Sequence, residues 1–245
     1  MMSWLIRTAL ALLLAGPAAM PRVASADDLA DFNAAVESAA AHNRVALGYL
    51  RTQSVELAQV ELDHMKNAWG ELTGRFGMTP PAAFKDNRLY TETLVDVPTR
   101  IVTALIMLEM GRDDIARNSL QAIRLSLSNL RREAGIEILA DCVLDYGAVM
   151  AVFVGYDDTP PDWSKPEMAS ELSARADAVA KTASRCDRLA DEGLRAQPEF
   201  RRLIDGTMTS LAFVPKVIAE RDNDLLQRLI GELKAFDNLL SFRYG

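Results

Sequence analysis

The chain contains two histidines, and both fall in one predicted helical hairpin. His42 precedes and His64 follows the turn around residues 50–55 at similar distances, so two antiparallel helices would place both imidazoles at the same height. Glu61 lies three residues before His64 and shares its helix face. Imidazole and carboxylate groups bind several divalent ions, and a thioether favours copper(I).

A metal or haem site in this hairpin is therefore one hypothesis. It would hold copper, zinc, iron or a noncovalent haem, with ligands drawn from His42, His64, Glu61, Asp63 and Met65. The competing interpretation is that both histidines are solvated, because helical projection places them on the flanks of the apolar stripes. A ferritin-like di-iron site is disfavoured, because it needs a second Glu-x-x-His motif and residue 39 is alanine.

The chain also contains two cysteines, Cys142 and Cys186. An even number of cysteines in an exported protein is typical of disulfide bonding. If helices at 136–154 and 167–190 are antiparallel neighbours, the two cysteines lie within about one turn of the same height. We therefore predict a disulfide, with two separate buried thiols as the alternative. The chain has no C-x-x-C-H motif for covalent haem.

Residues 1–26 have the pattern of a cleavable signal peptide. Arg7 precedes an apolar run over residues 8–16, and small residues at 24–26 predict cleavage before Asp27. A short membrane anchor is the alternative, but the run is well below the roughly 20 residues that span a bilayer. The pattern predicts a protein exported to the bacterial periplasm.

The mature chain is predicted to be acidic. The whole sequence has 27 basic and 34 acidic residues, and cleavage removes Arg7 and Arg22 but no acid, so the net charge becomes about −9. No more than two Lys or Arg residues are adjacent anywhere in the chain. Since nucleic acid and anionic membranes need a basic patch, neither is expected as a partner.

Apolar residues recur at helical spacing along the chain, so we predict an all-α fold. About eight helices would form antiparallel hairpins in a bundle or short repeat array. Their predicted ranges are 28–50, 54–75, 89–110, 113–133, 136–155, 167–190, 197–220 and 223–242.

The first turn resembles that of a tetratricopeptide repeat, in which an aromatic residue precedes a close-packed alanine. Tyr49 stands nine residues before Ala58, and Met107, Gly111 and Ala116 match less well. The resemblance concerns hairpin geometry and not family membership, because the hairpins do not repeat every ~34 residues.

Residues 27–245 are predicted to form a single helical domain, with 27–135 and 136–245 as possible sub-units separated at Gly135. The apolar stretch at 136–155 contains three acids and is expected to be a buried helix. Since charges are costly in lipid, no transmembrane segment is expected after signal cleavage.

The loop after this stretch is the predicted partner-binding segment, because exposed aromatic residues often anchor interfaces. The residues proposed for this role are Tyr156, Asp157, Asp158, Asp162 and Trp163. Packing of Trp163 over a helix end is the plainer alternative.

No catalytic motif supports an enzyme, since the chain has neither G-x-S-x-G nor a glycine-rich phosphate loop. We therefore expect a non-catalytic, exported helical protein without a cofactor that binds a peptide, a partner protein or a small ligand. The alternative is a metal- or haem-binding helical bundle using His42 and His64.

Overall fold

A computed structural model of the protein describes residues 24–245, and this part of the chain is helical with no strand. The predicted all-α fold is therefore confirmed. Of the predicted signal peptide, residues 1–23 lie outside the described part. The α-helices are α1 (Ala24–Arg51), α2 (Val55–Phe76), α3 (Arg88–Glu109), α4 (Asp113–Glu133), α5 (Leu139–Val154), α6 (Met168–Leu189), α7 (Glu192–Arg195), α8 (Pro198–Leu211), α9 (Val214–Glu220) and α10 (Asn223–Tyr244).

Consecutive long helices pair as hairpins, joined by short turns at 52–54 and 110–112 and by a longer loop at 155–167. The pairs are α1 with α2, α3 with α4, and α5 with α6, while α10 packs on both α5 and α8. Gly111 ends the α3 segment with a φ of +68°, a conformation that glycine adopts without a steric penalty. Within the described residues, every helix is too short or too polar to cross a membrane.

Two predicted helix boundaries were wrong. The predicted helix at 197–220 is split, because α8 ends at Leu211 and α9 begins at Val214. Pro215 lies in the first turn of α9, where a missing backbone N–H is tolerated. In the middle of one continuous helix, the same proline would remove a backbone hydrogen bond and interrupt the helix. The helix predicted from residue 136 begins only at Leu139, because Ile138 has an extended backbone.

The buried side chains form two clusters, one for each half of the chain. The N-terminal core runs from Phe32 to Leu130 on α1–α4, and the C-terminal core runs from Cys142 to Leu240 on α5–α10. Burial of these apolar surfaces is the main stabilising contribution to the fold. The division into one domain or two sub-units stays a prediction.

A buried ion pair joins the two halves at the α4–α5 connection. The Arg131 guanidinium donates two hydrogen bonds to the Asp141 carboxylate, at 2.8 and 2.6 Å. Both side chains are buried. This bidentate geometry fixes the relative orientation of α4 and α5. The second junction is between α1 and α10, which pack directly on each other.

Candidate functional site

The structure brings the two histidines together on the first hairpin. The ring centroids of His42 and His64 are 5.4 Å apart, and the rings are stacked with an interplanar angle of 29°. Nδ1 of His42 lies 2.7 Å from Oε2 of Glu61. The hairpin register inferred from the sequence therefore places these three side chains in one group.

The other two predicted metal ligands do not join this group. Met65 is fully buried in the N-terminal core, whereas Asp63 is exposed and pairs with Lys66 at 3.1 Å. Within residues 24–245, no three His, Cys, Asp or Glu side chains are arranged to hold a metal ion. The metal or haem hypothesis for the hairpin stays a prediction.

The cysteine pairing is confirmed. Cys142 on α5 and Cys186 on α6 lie at disulfide-bonding distance, and their Cα atoms are 5.4 Å apart. Both residues are fully buried. The bridge links the two helices of the α5–α6 hairpin, and such a cross-link stabilises a fold mainly by restricting the unfolded chain.

The two aromatic residues of the predicted partner-binding loop are engaged within the chain. The Tyr156 side chain is buried, and the Arg175 guanidinium lies 4.4 Å from its ring centroid. Trp163 is half-buried, and its indole N–H donates to Oδ1 of Asn223 at 2.8 Å. Trp163 thus packs at the start of α10, as the plainer alternative proposed.

The acids of this loop are mostly exposed and paired locally. Asp157 forms an ion pair with Lys234, and Asp162 accepts a 2.6 Å hydrogen bond from the Ser164 hydroxyl. Asp158 is exposed. The loop is therefore tied to its own helices, and its partner-binding role stays a prediction.

A cleft between α1, α4 and α10 was not predicted from the sequence. Its volume is about 300 Å³, and four arginines line it. We call this feature the arginine cleft. Its arginines are Arg44, Arg51, Arg117 and Arg124.

Helical spacing explains why these arginines share the cleft. Arg44 and Arg51 are seven residues apart on α1, and Arg117 and Arg124 are seven residues apart on α4. Seven residues make nearly two turns, so each pair lies on one helix face. Two helix faces therefore direct guanidinium groups into the same space.

The third wall of the cleft comes from α10. Asn238, Ser241 and Phe242 lie on one face of this helix and line the cleft. Gly48 of α1 permits the close approach of the Phe242 ring, because a Cβ atom at Gly48 would lie 3.0 Å from Cε2 of that ring. The aromatic ring therefore lies directly against the backbone of α1.

The deepest of the α1 arginines is held by the chain itself. Arg44 is only 8% exposed, and it donates from Nη1 to the Gly245 carbonyl oxygen at 3.1 Å. It also forms an ion pair with Glu37. Arg44 is therefore neutralised and helps to fix α1 against the end of α10.

The two arginines at the rim are positioned by neutral acceptors. Nη1 of Arg51 donates to Oδ1 of Asn238 at 3.0 Å, and Nη2 of Arg117 donates to the Leu50 carbonyl oxygen at 3.2 Å. Each bond uses one of the five N–H donors of a guanidinium. Within the described part of the chain, neither arginine forms an ion pair.

Arg124 is the least satisfied of the four arginines. Its Nη2 atom is buried and has no hydrogen-bond partner among the described residues. Burial lowers the pKa of this guanidinium, the nearby Arg44 lowers it further, and Asp237 partly opposes both effects. A lowered pKa means that the charged form is disfavoured in the folded protein.

No known protein family, characterised protein or solved structure matches the chain. The geometry of the sites is therefore the basis for assigning a function.

Asp237 is a buried carboxyl near the cleft arginines. Its Oδ1 atom is buried without a hydrogen-bond partner among the described residues. Burial raises the pKa of Asp237 to about 6, although the charge of Arg124 and the Ser241 hydroxyl act in the opposite direction. Asp237 is therefore mostly ionised at neutral pH, where it provides a counter-charge for Arg124, and it loses this charge as the pH falls below about 6.

Sequence reasoning missed the cleft although one signal was present. The same seven-residue spacing of arginines occurs on two helices of an acidic protein. What the sequence does not show is that α1, α4 and α10 converge, because α10 is far from α1 and α4 along the chain.

Proposed function

We propose that the protein is an exported, non-catalytic binding protein whose ligand site is the arginine cleft. The observation that carries this proposal is a cleft lined by four guanidinium groups, two of which, those of the exposed Arg51 and Arg117, have only neutral hydrogen-bond acceptors among the described residues. Each of these two guanidinium groups keeps further N–H donors for a ligand. An anionic ligand in the cleft would accept hydrogen bonds from them and would balance their charge.

The chemistry of the cleft lining supports binding and not catalysis. Guanidinium, amide and hydroxyl groups bind oxygen atoms, whereas nucleophilic catalysis needs a base beside the nucleophile. Among the described residues that line the cleft, none is a histidine, a cysteine or a carboxylate. Ser241 is the one hydroxyl of this lining, and no histidine stands beside it there.

Two features support export. The pattern of residues 1–26 is typical of a signal peptide, and paired cysteines are typical of oxidising compartments such as the periplasm. The acidic net charge argues against nucleic acid and anionic membranes as partners. We therefore expect the ligand to be a small anion in the periplasm.

The histidine pair supports a second candidate function, binding of a divalent transition metal ion or a noncovalent haem. A carboxylate bonded to one ring nitrogen, as Glu61 is to His42, is typical of histidines that bind metals through the other nitrogen. Metal analysis and an absorption spectrum of the purified mature protein test this candidate. The His42→Ala/His64→Ala double variant should lose any bound metal or haem band.

Thermal unfolding in the presence of small anions tests the proposed function. The mature protein is compared with Arg117→Ala and with Arg188→Ala, which removes an exposed arginine of α6 outside the cleft. We expect at least one anion to raise the Tm of the wild type and of Arg188→Ala, because binding to the folded state stabilises it. Arg117→Ala should show a much smaller shift. Equal shifts in all three proteins would contradict the proposal.

A further inference from the structure

The charges of the arginine cleft restrict its ligand further. We infer that the cleft takes a small polyanion, with one anionic group held by Arg124 in the interior and a second held by Arg51 and Arg117 at the rim. This assignment rests on the proposed function and specifies the ligand class of the same site.

The first step is the charge balance. Arg44 is paired with Glu37, so its charge is compensated within the chain. Arg124 has Asp237 as a nearby counter-charge at neutral pH. Within residues 24–245, Arg51 and Arg117 form no ion pair, and no acidic residue lines the cleft. A monoanion would leave one of these two charges uncompensated, whereas a dianion would neutralise both. Charge balance therefore favours a ligand with at least two negative charges.

The second step is the depth of the arginines. Arg124 is partly buried and its Nη2 atom is inaccessible to bulk water, whereas Arg51 and Arg117 are exposed. The guanidinium groups therefore occupy two levels of the cleft. Hydrogen bonds to Asn238 and Leu50 hold the two rim arginines in place, which lowers the entropy lost on binding. Two separate anionic groups on one ligand match these two levels.

The third step is the size and the remaining lining. A volume of about 300 Å³ is at the lower end of the range for small-molecule sites. Leu47 and Phe242 contribute apolar wall, and Gln121, Asn238 and Ser241 contribute amide and hydroxyl groups. A compact molecule with polar substituents fits this lining. An extended polyanion would also meet the acidic remainder of the protein, which repels it.

Two sources of such an anion share this chemistry. Guanidinium groups form paired hydrogen bonds with both carboxylate and phosphate oxygens. A molecule with several carboxylates and a molecule with linked phosphates are therefore both compatible with the cleft arginines. Citrate and pyrophosphate represent the two sources as probes.

Isothermal titration calorimetry at constant ionic strength tests the inference. The probes are acetate, citrate and pyrophosphate, and the protein is the mature chain with a chelator present. We expect citrate or pyrophosphate to bind at least about 100-fold more tightly than acetate, and the tighter probe identifies the source. The Arg51→Ala/Arg117→Ala variant should bind that probe about as weakly as acetate. Arg188→Ala should bind it like the wild type.

The other outcomes separate this inference from the proposed function. If acetate binds as tightly as both polyanions and Arg117→Ala abolishes binding, the polyanion assignment is wrong and the proposed function stands. If no probe binds, both are overturned. Tight polyanion binding that persists in Arg51→Ala/Arg117→Ala overturns the polyanion assignment. Repeating the titration in His42→Ala/His64→Ala excludes removal of metal from the hairpin as the source of heat.

Discussion

The histidine pair and the arginine cleft are two polar regions that share α1 but differ in how their polar atoms are satisfied. At the histidine pair, the chain supplies the partner, because Glu61 bonds to Nδ1 of His42 at the surface. In the cleft, Arg51 and Arg117 have only neutral hydrogen-bond acceptors and no acidic partner among the described residues. The group that the protein leaves unsatisfied is the better guide to a ligand.

The comparison also separates two energetic situations. The His42 and Glu61 side chains are 34% and 21% exposed, so water partly screens their interaction and its contribution to the free energy of unfolding is small. In the cleft, the exposed Arg51 and Arg117 have only neutral acceptors among the described residues. A bound anion would therefore add both hydrogen bonds and charge balance there.

Removal of both rim arginines should change polyanion affinity much more than removal of both histidines. Arg51→Ala/Arg117→Ala loses charged hydrogen bonds worth about 1.5–3 kcal/mol each, so polyanion affinity should fall at least about 100-fold. His42→Ala/His64→Ala should leave this affinity unchanged. Calorimetric titration measures the polyanion affinity of both double variants. A comparable loss of affinity in His42→Ala/His64→Ala would show that the cleft is not the binding region.

Asp237→Asn should change the pH dependence of stability. Because the pKa of Asp237 is raised to about 6 in the folded protein, the folded state binds more protons than the unfolded state between about pH 4 and 6. The contribution of Asp237 to stability is therefore present at low pH and lost as the pH rises through about 6. Between pH 4.5 and pH 7 the loss should be about 2 kcal/mol.

Urea unfolding at pH 4.5 and pH 7 measures this effect. Asp237→Asn removes the ionisable group, so it should be more stable than the wild type at pH 7 and closer to it at pH 4.5. His64→Ala, in the histidine pair, is the matched control. It should still show the loss of stability between pH 4.5 and pH 7 that Asp237 causes. If the free energy of unfolding of Asp237→Asn differs from that of the wild type by the same amount at both pH values, Asp237 does not titrate in this range.

Gly48→Ala should weaken ligand binding without changing any charge. The added Cβ would lie 3.0 Å from Cε2 of Phe242, so the ring must shift where it lines the cleft. We expect about a tenfold lower polyanion affinity, or about 1.4 kcal/mol.

Gly70→Ala is the control, because a Cβ at this position on α2 meets nothing within 4 Å. It should raise the Tm slightly, since alanine is favoured over glycine in helices by about 0.5–1 kcal/mol. Its polyanion affinity should equal that of the wild type. Identical binding by Gly48→Ala and Gly70→Ala would contradict the placement of Phe242 as a cleft wall.

Substitution of His42 should have the smallest effect. His42→Ala removes a partly exposed bond to Glu61, so the free energy of unfolding should change by no more than about 0.5–1 kcal/mol. Urea unfolding at pH 7 measures the change. A loss above about 2 kcal/mol would show that the pair stabilises the hairpin far more than its exposure implies.

The sequence predicts relations within a hairpin much better than relations between distant helices. Helical periodicity and a short turn place His42 beside His64, and the same reasoning pairs Cys142 with Cys186. In each case the two helices are consecutive in the chain and antiparallel, so their register settles the geometry.

The arginine cleft could not be predicted in this way. It requires α10 to return to α1 and α4, a packing arrangement fixed by the cores of both halves and not by any local pattern. The break before Pro215 was missed for a different reason, since the apolar periodicity continues across it. Local helix propensity and long-range packing are thus separate sources of information.

The most direct test of the account is the stability of Arg124→Met with and without a bound anion. Methionine keeps much of the apolar stem and removes the charge. Because the substitution also removes the counter-charge of Asp237, the decisive quantity is the increase in the free energy of unfolding that citrate or pyrophosphate produces. The account predicts that this increase is much smaller in Arg124→Met than in the wild type. An increase equal to that of the wild type would contradict the account.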